Sequence, residues 1–432
     1  MIERLSETAE MAAEMLAKQD YVRVISHNDA DGITSAGIIC NALYRRDIKF
    51  HVSIISHLDE AFIRTLDDTA TVFCDMGSGQ PDLIPHDAII IDHHIPTETD
   101  TEHLQLNPHI VGIDGSFELS ASGATYAVAK YLGDNIDLSG LAIVGALGDC
   151  QTMIGANKDI LDEALQHNIV TTTHGLTLGD GDFAELFMYS IDPYIDITGD
   201  ADKIQRFLNE LGIGGKLGDL SPEELQRFIS ALMLKLMKKA SVDVIESLIG
   251  ESYKLNYEVL SDASLFVRVT NAAGKLGKTG LAVALCLRDA GAKEKAHQLC
   301  LEYQKRIILE MKKIEPDIKE GASVRYVNSS DKDIVGALAS TIIRYLAPDK
   351  PILVMTEDKG KIKISARGTR KLLQKGLDLS VVMSEAAKKV GGVGGGHNIA
   401  SGAAIPLGVE SKFIKDVDAC ITEQLGGKGE SE

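Results

Sequence analysis

The chain has 432 residues, 44% hydrophobic and 25% charged, an ordinary globular balance with room for two or three domains and sizeable cores. It holds no run of about 18 apolar residues, so no transmembrane helix is expected, and the N-terminal MIERLSETAEMAAEMLAKQD lacks the apolar core of a signal peptide, which makes a cytoplasmic location and no membrane partner the expectation. A formal charge of −19 argues against a whole surface that coats nucleic acid non-specifically, but not against a nuclease whose positive field is local. The six cysteines form no CxxC pair and mostly sit in apolar runs, so buried, reduced thiols are expected.

In chain order, residues 2–18 carry Leu5, Ala9, Ala12, Ala13 and Leu16 at helical spacing. Tyr21–Ile25 reads as a buried strand that ends at the polar run Ser26–Gly32, and a helix with Ala36, Ile38, Ile39, Ala42 and Leu43 on its apolar side follows. Phe50–Ile55 (strand), 59–67 (helix), Thr71–Cys74 (strand), Ala88–Ile91 (strand), 121–132 (helix) and 138–147 (helix) continue the alternation. This is the pattern of an α/β domain with a mainly parallel sheet flanked by helices, in which sites form at the carboxyl ends of strands. From 196 to 315 the pattern is mostly helical, with Ser221-Pro-Glu-Glu as a capped helix start and 291–314 as one long helix. Strands at Val324–Val327, Pro351–Met355 and Lys361–Ser365 then alternate with helices at 333–346 and 379–389, followed by the glycine-rich Gly391–His397 and a glycine-rich tail.

Four segments carry acceptors at the ends of apolar elements: His27-Asn-Asp29-Ala-Asp31-Gly32, Phe73-Cys-Asp75-Met-Gly77, Ile91-Asp92-His93-His94 and Gly145-Ala-Leu-Gly-Asp149. Taken singly, each has a plain reading: a capped turn, a turn aspartate, a surface histidine pair, a helix cap. Together they would gather five aspartates and three histidines at one sheet edge, and such repulsion is relieved by divalent cations. Oxygen ligands mixed with imidazole suit Mn²⁺, Mg²⁺, Fe²⁺ or Zn²⁺, and the ligand number suffices for two ions with a bridging carboxylate. A dinucleotide-binding fold is disfavoured, since HNDADG stands after the first strand where GxGxxG is needed.

The series HNDAD, FCDMG, DHH and GALGD resembles that of the DHH phosphoesterases. Gly394-Gly-Gly-His397-Asn-Ile-Ala-Ser-Gly-Ala resembles the GGGH segment of their companion DHHA1 domain, and Thr270-Asn-Ala-Ala-Gly-Lys-Leu276 resembles a stretch of RecJ-like nucleases. The archaeal RecJ-like branch, with GINS-associated nucleases among its members, is the nearest in pattern. The chain departs from bacterial RecJ in opening its first motif with His27 rather than Asp, and in lacking the length for further C-terminal domains. The resemblance implies a DHH catalytic domain over 1–195, a helical connector over 196–315, a smaller α/β DHHA1 domain over 316–425 with a cleft between the two, and a disordered tail over 426–432.

It further implies two divalent ions, Mn²⁺ or alternatively Mg²⁺, one held by His27, Asp29 and a bridging Asp75, the other by Asp31, Asp75, His93 and Asp149. His94 would stabilise charge on the phosphoryl oxygens, with Asp92 orienting a histidine; Asp75, Asp92, His93 and His94 are thus the catalytic set. Arg367, Gly394, Gly395, Gly396 and His397 would grip substrate phosphate, helped by Asn271 and Lys275, with Ser401 and Thr369 as weaker candidates. The implied activity is exonucleolytic hydrolysis of single-stranded DNA or RNA, with GINS or helicase proteins as partners. Hydrolysis of short oligonucleotides or cyclic dinucleotides, and a mainly structural place in a replication complex, are the alternatives.

Overall fold

The computed structural model describes residues 1–97, 103–179 and 181–426, and the chain divides into two compact units. The first comprises Met1–His174 and Glu251–Cys300, the second Gly175–Gly250 and Leu301–Glu432. The stretch 196–315 is therefore shared between them rather than standing as a unit of its own.

The first unit opens with α1 (Ser6–Ala17), β1 (Tyr21–His27), α2 (Ala30–Arg45), β2 (Lys49–Ile55), α3 (Glu60–Ile63), β3 (Thr71–Cys74), β4 (Ile89–Ile91) and β5 (Leu104–Leu106). The five strands form one parallel sheet in the order β2-β1-β3-β4-β5. Helices α4 (Ala121–Leu132), α5 (Ser139–Gly148) and α6 (Gly155–Gln166) follow. Every residue of α2 from Ala30 to Leu43 is buried, with Thr34 donating to the Ala30 carbonyl and Asn41 to the Gly37 and Cys286 carbonyls. On the sheet, Ile25, Phe73 and Ile90 pack with Leu58, Met76 and Ile84 in a small core of their own.

Helix α3 is one turn, not the nine residues expected. Thr65 donates its hydroxyl to the Phe62 carbonyl and Asp67 accepts from the Thr69 amide, so local side-chain bonds replace the helical ladder. Strand β5, three residues long, is too short for a period to show, and helix α6, which buries Ala156, Ile160, Leu161 and Ala164 at helical spacing, was not among the expected elements.

Strand β6 (Val170–Leu176) leads into α7 (Phe183–Tyr189), α8 (Ala201–Leu211), α9 (Pro222–Leu236) and α10 (Val242–Ser247) of the second unit. Ser221 and Glu224 form the expected capping box at the start of α9. Strand β7 (Ile249–Leu255) pairs with β6 in a two-stranded ribbon, an element the helical reading of this region did not contain. The chain returns to the first unit with α11 (Ala263–Lys275) and α12 (Thr279–Cys286), and α13 (Lys293–Ile314) begins in that unit and continues into the second from Leu301.

The rest of the second unit is β8 (Lys319–Glu320), β9 (Arg325–Asn328), α14 (Val335–Tyr345), β10 (Ile352–Asp358), β11 (Lys361–Arg367), α15 (Arg370–Gln374), α16 (Leu379–Lys389), β12 (Val393–Gly396), β13 (Ala400–Pro406) and α17 (Glu410–Gly426). Its six-stranded mixed sheet has the order β12-β13-β11-β10-β9-β8, with α16 and α17 over a core of Leu353, Ile364, Met383, Ile405, Phe413 and Val417.

The glycine-rich segment was expected between two helices. It is the edge strand of this sheet, in a hairpin with β13, a strand whose Ala/Gly composition gave no β signal. A Cβ at Gly394 would stand 2.3 Å from the Met383 carbonyl oxygen, so helix packing demands a glycine there. Gly426, expected in the tail, closes α17; the remainder of the expected tail lies outside the described residues.

No helix among the described residues is long and apolar enough to cross a membrane.

Candidate metal centre

Three parallel strands end at one edge of the first unit's sheet and deliver polar groups there. His27 is the last residue of β1, Asp75 follows β3, and Asp92-His93-His94 follows β4. Asp29 caps α2 by accepting from the Gly32 amide, and Asp31 sits in the first turn of that helix. Asp149 lies directly after α5.

The approach of α5 depends on glycine. A Cβ at Gly145 would stand 1.9 Å from Ser122 Oγ and 2.3 Å from Asp31 Oδ1, and one at Gly148 would stand 2.6 Å from the Ala30 Cβ. Asp75 holds φ at +58°, a left-handed conformation that is uncommon for a residue other than glycine, though aspartate tolerates it better than most.

The six residues expected to hold metal come together. His27 Nδ1 lies 2.7 Å from Asp29 Oδ2 and 3.4 Å from Asp75 Oδ2. His93 Nε2 lies 3.1 Å from Asp149, 3.3 Å from Asp75 and 3.9 Å from Asp31. Ligand atoms of His27-Asp29-Asp75, of Asp31-His93-Asp149 and of Asp75-His93-His94 each lie within 4.8 Å of one another, so Asp75 belongs to two of the three sets. His94 thus joins a ligand-like set, although the sequence reading gave it a catalytic and substrate-binding role and not a metal-holding one.

Side chains and backbone around the cluster hold it in place. Asp31 accepts from the Ala121 and Ser122 amides (2.7 and 2.9 Å) at the N-terminus of α4. Asp92 accepts from the amides of Ser78, His93 and His94 and lies 2.7 Å from His94 Nδ1. His93 Nδ1 donates to the Gly115 carbonyl at 2.7 Å, and Gln151 Nε2 donates to the same oxygen at 2.8 Å. Asn157 in turn donates to Gln151 Oε1 at 2.7 Å.

Sequence reasoning missed Gly115, Gln151, Asn157 and Ser78, which carry no motif. The α4 N-terminus had a signal in Ser120-Ala-Ser-Gly123, a capped helix start able to hold an anion.

Electrostatics show why cations fit here. Burial opposes charge on His27, yet Asp29 and Asp75 outweigh it and raise its pKa to about 11. Burial also opposes charge on His93, and Asp75, Asp149 and Asp31 together lift it well above the usual imidazole range. Burial and the facing Asp75 push Asp31 up to about 6, and burial and Asp31 push Asp149 well above the carboxylate range. Asp29 and Asp92 stay well below that range despite burial, held there by His27 and by His94.

Carboxylates crowded in this way are offset by protons or by divalent cations. Asp75 Oδ1, fully buried, accepts no well-formed hydrogen bond even with His93 at 3.3 Å. A lone pair aimed into a nest of carboxylates and imidazoles is the donor chemistry of a divalent cation site.

The other expected substrate contacts divide between the units. Asn271 Oδ1 accepts from the Ala30 amide at 3.0 Å, pinning α11 to the start of α2. Gly274 lets that contact form, because a Cβ there would stand 1.7 Å from the Asn28 carbonyl oxygen. Lys275 ends α11 and contributes to lowering the Asp29 pKa.

Arg367 and Gly394–His397 belong to the second unit, at one end of its sheet. Arg367 registers with Ala400, which exchanges backbone bonds with His397. Arg367 donates to Ser340 Oγ, Ser365 Oγ and the Ala366 carbonyl. Thr369 caps α15, and Ser401 donates to the His397 carbonyl, so both have local structural duties.

A DHHA1 domain model matches residues 320–423. A curated protein of Methanocaldococcus jannaschii, the uncharacterized protein MJ0831, is 35% identical over 446 aligned positions covering 98% of this chain and all of that one. Among solved structures, RecJ of Thermus thermophilus in complex with Mn²⁺ aligns with a TM-score of 0.62 at 17% identity, over 98% of this chain but 55% of that one, so the chain spans about half its length. A manganese-bound exonuclease RecJ aligns at 0.58 and 17% identity, over 99% and 97% of the two chains. CDC45 from Entamoeba histolytica aligns at 0.63 and 15% identity, over 98% of each.

Proposed function

Because the chain belongs to the RecJ-like DHH/DHHA1 family, we propose that it is a divalent-metal-dependent phosphodiester hydrolase, acting as an exonuclease on single-stranded nucleic acid. The observation that carries the reading is the shared position of Asp75, whose two oxygens face His27 on one side and His93 on the other within the carboxylate cluster.

His27, Asp29 and Asp75 would hold one ion, and Asp31, Asp75, His93 and Asp149 the second; Mn²⁺ fits this mixture of oxygen and imidazole donors, as does Mg²⁺ with fewer of the nitrogens. Bound divalent cations supply Lewis acidity and lower the pKa of water near them. The chain's own residues do the rest. The α4 amides fix the Asp31 carboxylate, and the Gly115 carbonyl fixes the His93 ring so that Nε2 faces the cluster. Asp92 holds His94 through Nδ1, which assigns Nε2 as the nitrogen that donates to a phosphoryl oxygen as charge builds there. In the second unit, Arg367 and the His397 hairpin would bind a substrate phosphate.

A purely structural role is disfavoured because every ligand position of the motif series is filled by a metal-competent side chain. The test is degradation of end-labelled single-stranded DNA and RNA in Mn²⁺, with Asp75→Ala and a chelator as controls. Degradation by the wild type that both controls abolish is expected, and the label position reads out polarity. Intact polymers with the metal-loaded wild type would remove the exonuclease reading.

A further inference from the structure

Strand alternation in the second unit sorts β11 into two faces. Ile362, Ile364 and Ala366 point into the core beneath α16 and α17. The opposite face carries Lys361, Lys363, Ser365 and Arg367, so a row of three cations and a hydroxyl runs along one strand with side chains about 6.7 Å apart.

The register sets Ala404, Gly402 and Ala400 of β13 beside Lys363, Ser365 and Arg367. It then sets Val393 and Gly395 of the edge strand β12 beside Ala404 and Gly402. No atom lies within 4 Å of where a Cβ on Gly395 would stand, and a Cβ on Gly402 would meet only the Ile364 carbonyl oxygen. Between Lys363–Arg367 and the exposed Val393 (77%), the sheet is therefore a floor with no side chain taller than a methyl group, and Pro406 stands beside Lys361 at its far end.

Helix α14 shields the other flank at the Arg367 end, where Ser340 accepts from Arg367 Nε. Lys361 and Lys363 stand clear of it and are exposed. Asp358 of β10, which faces Lys361, is engaged by Lys332 Nζ at 2.9 Å. With Lys359 in the adjoining turn, cations outnumber carboxylates on this strip in a chain whose net charge is −19.

We propose that this strip is a track for the backbone of a single-stranded nucleic acid, leading away from the phosphate held at Arg367. Lys363 and Lys361 take phosphates further along the strand, and the glycine–alanine floor receives sugar and base edges. An extended single strand, with six backbone bonds between phosphates, repeats over an interval comparable to that of alternate residues on β11. A duplex does not fit so narrow a strip, and a dinucleotide is too short to reach Lys361. The inference rests on the proposed single-strand substrate and deepens it, since it assigns residues that separate long strands from short ones.

The experiment is fluorescence anisotropy of the full chain with a labelled twenty-residue oligothymidylate, chelator present to prevent turnover, across a salt series. Wild type is compared with the double variant Lys361→Ala/Lys363→Ala and with a charge-matched control, Lys18→Ala/Lys203→Ala. Each phosphate neutralised on a single strand contributes about −0.7 to the slope of log affinity against log salt. The track variant is expected to bind roughly tenfold more weakly near 0.1 M salt with a slope shallower by about 1.4, and the control to match the wild type. Equal affinity and slope in the track variant, or no binding by the wild type, overturns the track. Neither result touches the hydrolysis reading, which is decided by the metal-dependent degradation assay. Thermal unfolding of each variant guards against a misfolded double variant; Lys361→Gln/Lys363→Gln, which keeps side-chain length without charge, gives the same reading if the alanine pair is unstable.

Discussion

Oδ1 of Asp92 lies 2.7 Å from Nδ1 of His94 and also accepts the backbone amides of His93 and His94, so one buried carboxylate sets both histidines of the pair. Burial works against charge on His94, and Asp92 outweighs it, raising the His94 pKa. His94 therefore keeps its proton to higher pH than an ordinary imidazole, and activity that needs the imidazolium is lost as pH rises through that raised value. Asp92→Asn keeps an oxygen for the amides and removes the charge. Turnover is expected to fall about 10–100-fold, with the alkaline limb moving toward acid. A pH–rate profile on a labelled oligonucleotide checks this; an unmoved limb would rule His94 out as the proton-bearing group.

The cluster also predicts how stability of the chelated protein depends on pH. His27 and His93 have raised pKa values, so their contribution is full below the usual histidine range and is lost as pH climbs toward about 11 for His27. Asp31, at about 6, and Asp149 are raised too, and their contribution is likewise lost as pH rises through those values. Asp29 and Asp92 act oppositely, but only below the ordinary carboxylate range. In chelator, Tm should fall between pH 6 and pH 9. Mn²⁺ displaces protons from these groups, so the Tm increment it gives should grow over the same interval. Calorimetry at several pH values, with and without Mn²⁺, decides it; a chelated Tm that rises with pH would mean that like-charge crowding does not govern the site.

Gly145 and Gly395 make a matched pair. A Cβ at Gly145 would collide with Ser122 Oγ and Asp31 Oδ1, and neither side chain is free to swing aside: Ser122 is held by Ser120 and the Ala142 carbonyl, and Asp31 by the α4 amides. Gly145→Ala should cost about 1–3 kcal/mol and weaken Mn²⁺ binding, since it displaces both Asp31 and the helix that ends at Asp149. Gly395→Ala, on an open strand face, should change stability by less than about 0.5 kcal/mol. Denaturant titration of both variants tests the contrast; equal losses would show that the close approach of α5 to α4 is not what the glycine serves.

The central chemistry was legible because it is written in local order. A strand, then a polar run, recurs three times, and the parallel sheet carries His27, Asp75 and Asp92 to one edge. The second unit was less legible at its edge. Val393–Gly396 and Ala400–Pro406 contain one β-branched residue in each strand, and their pairing is decided by packing on Met383 and Ile364 rather than by propensity. The interleaving of the two units was invisible for a different reason: β7 has an ordinary strand pattern, but its partner β6 is more than seventy positions away, and period alone does not reveal that pairing. The residues supporting the site were hidden in the same way. Gly115 and Gln151 hold His93 through one carbonyl oxygen, and nothing in their neighbourhood in the chain announces it.

That carbonyl yields the last prediction. Gly115 O accepts from His93 Nδ1 and from Gln151 Nε2, and Asn157 Nδ2 fixes Gln151 through its Oε1, all in buried surroundings. The second donor stops the carbonyl from rotating, and the carbonyl fixes both the tautomer and the plane of His93. Gln151→Leu keeps the volume but removes the donor. Mn²⁺ affinity should fall about tenfold or somewhat more, the usual cost of losing a group that orients a metal ligand. Gln151→Glu should do worse, because it sets an acceptor against the carbonyl and places another carboxylate near the cluster. Asn157→Ala, which frees Gln151 without deleting it, should lie between wild type and Gln151→Leu. Mn²⁺ titrations followed by Tm rank the three. If Gln151→Leu binds Mn²⁺ as tightly as the wild type, His93 is held by the Gly115 carbonyl unaided, and the chain of donors behind it serves packing alone.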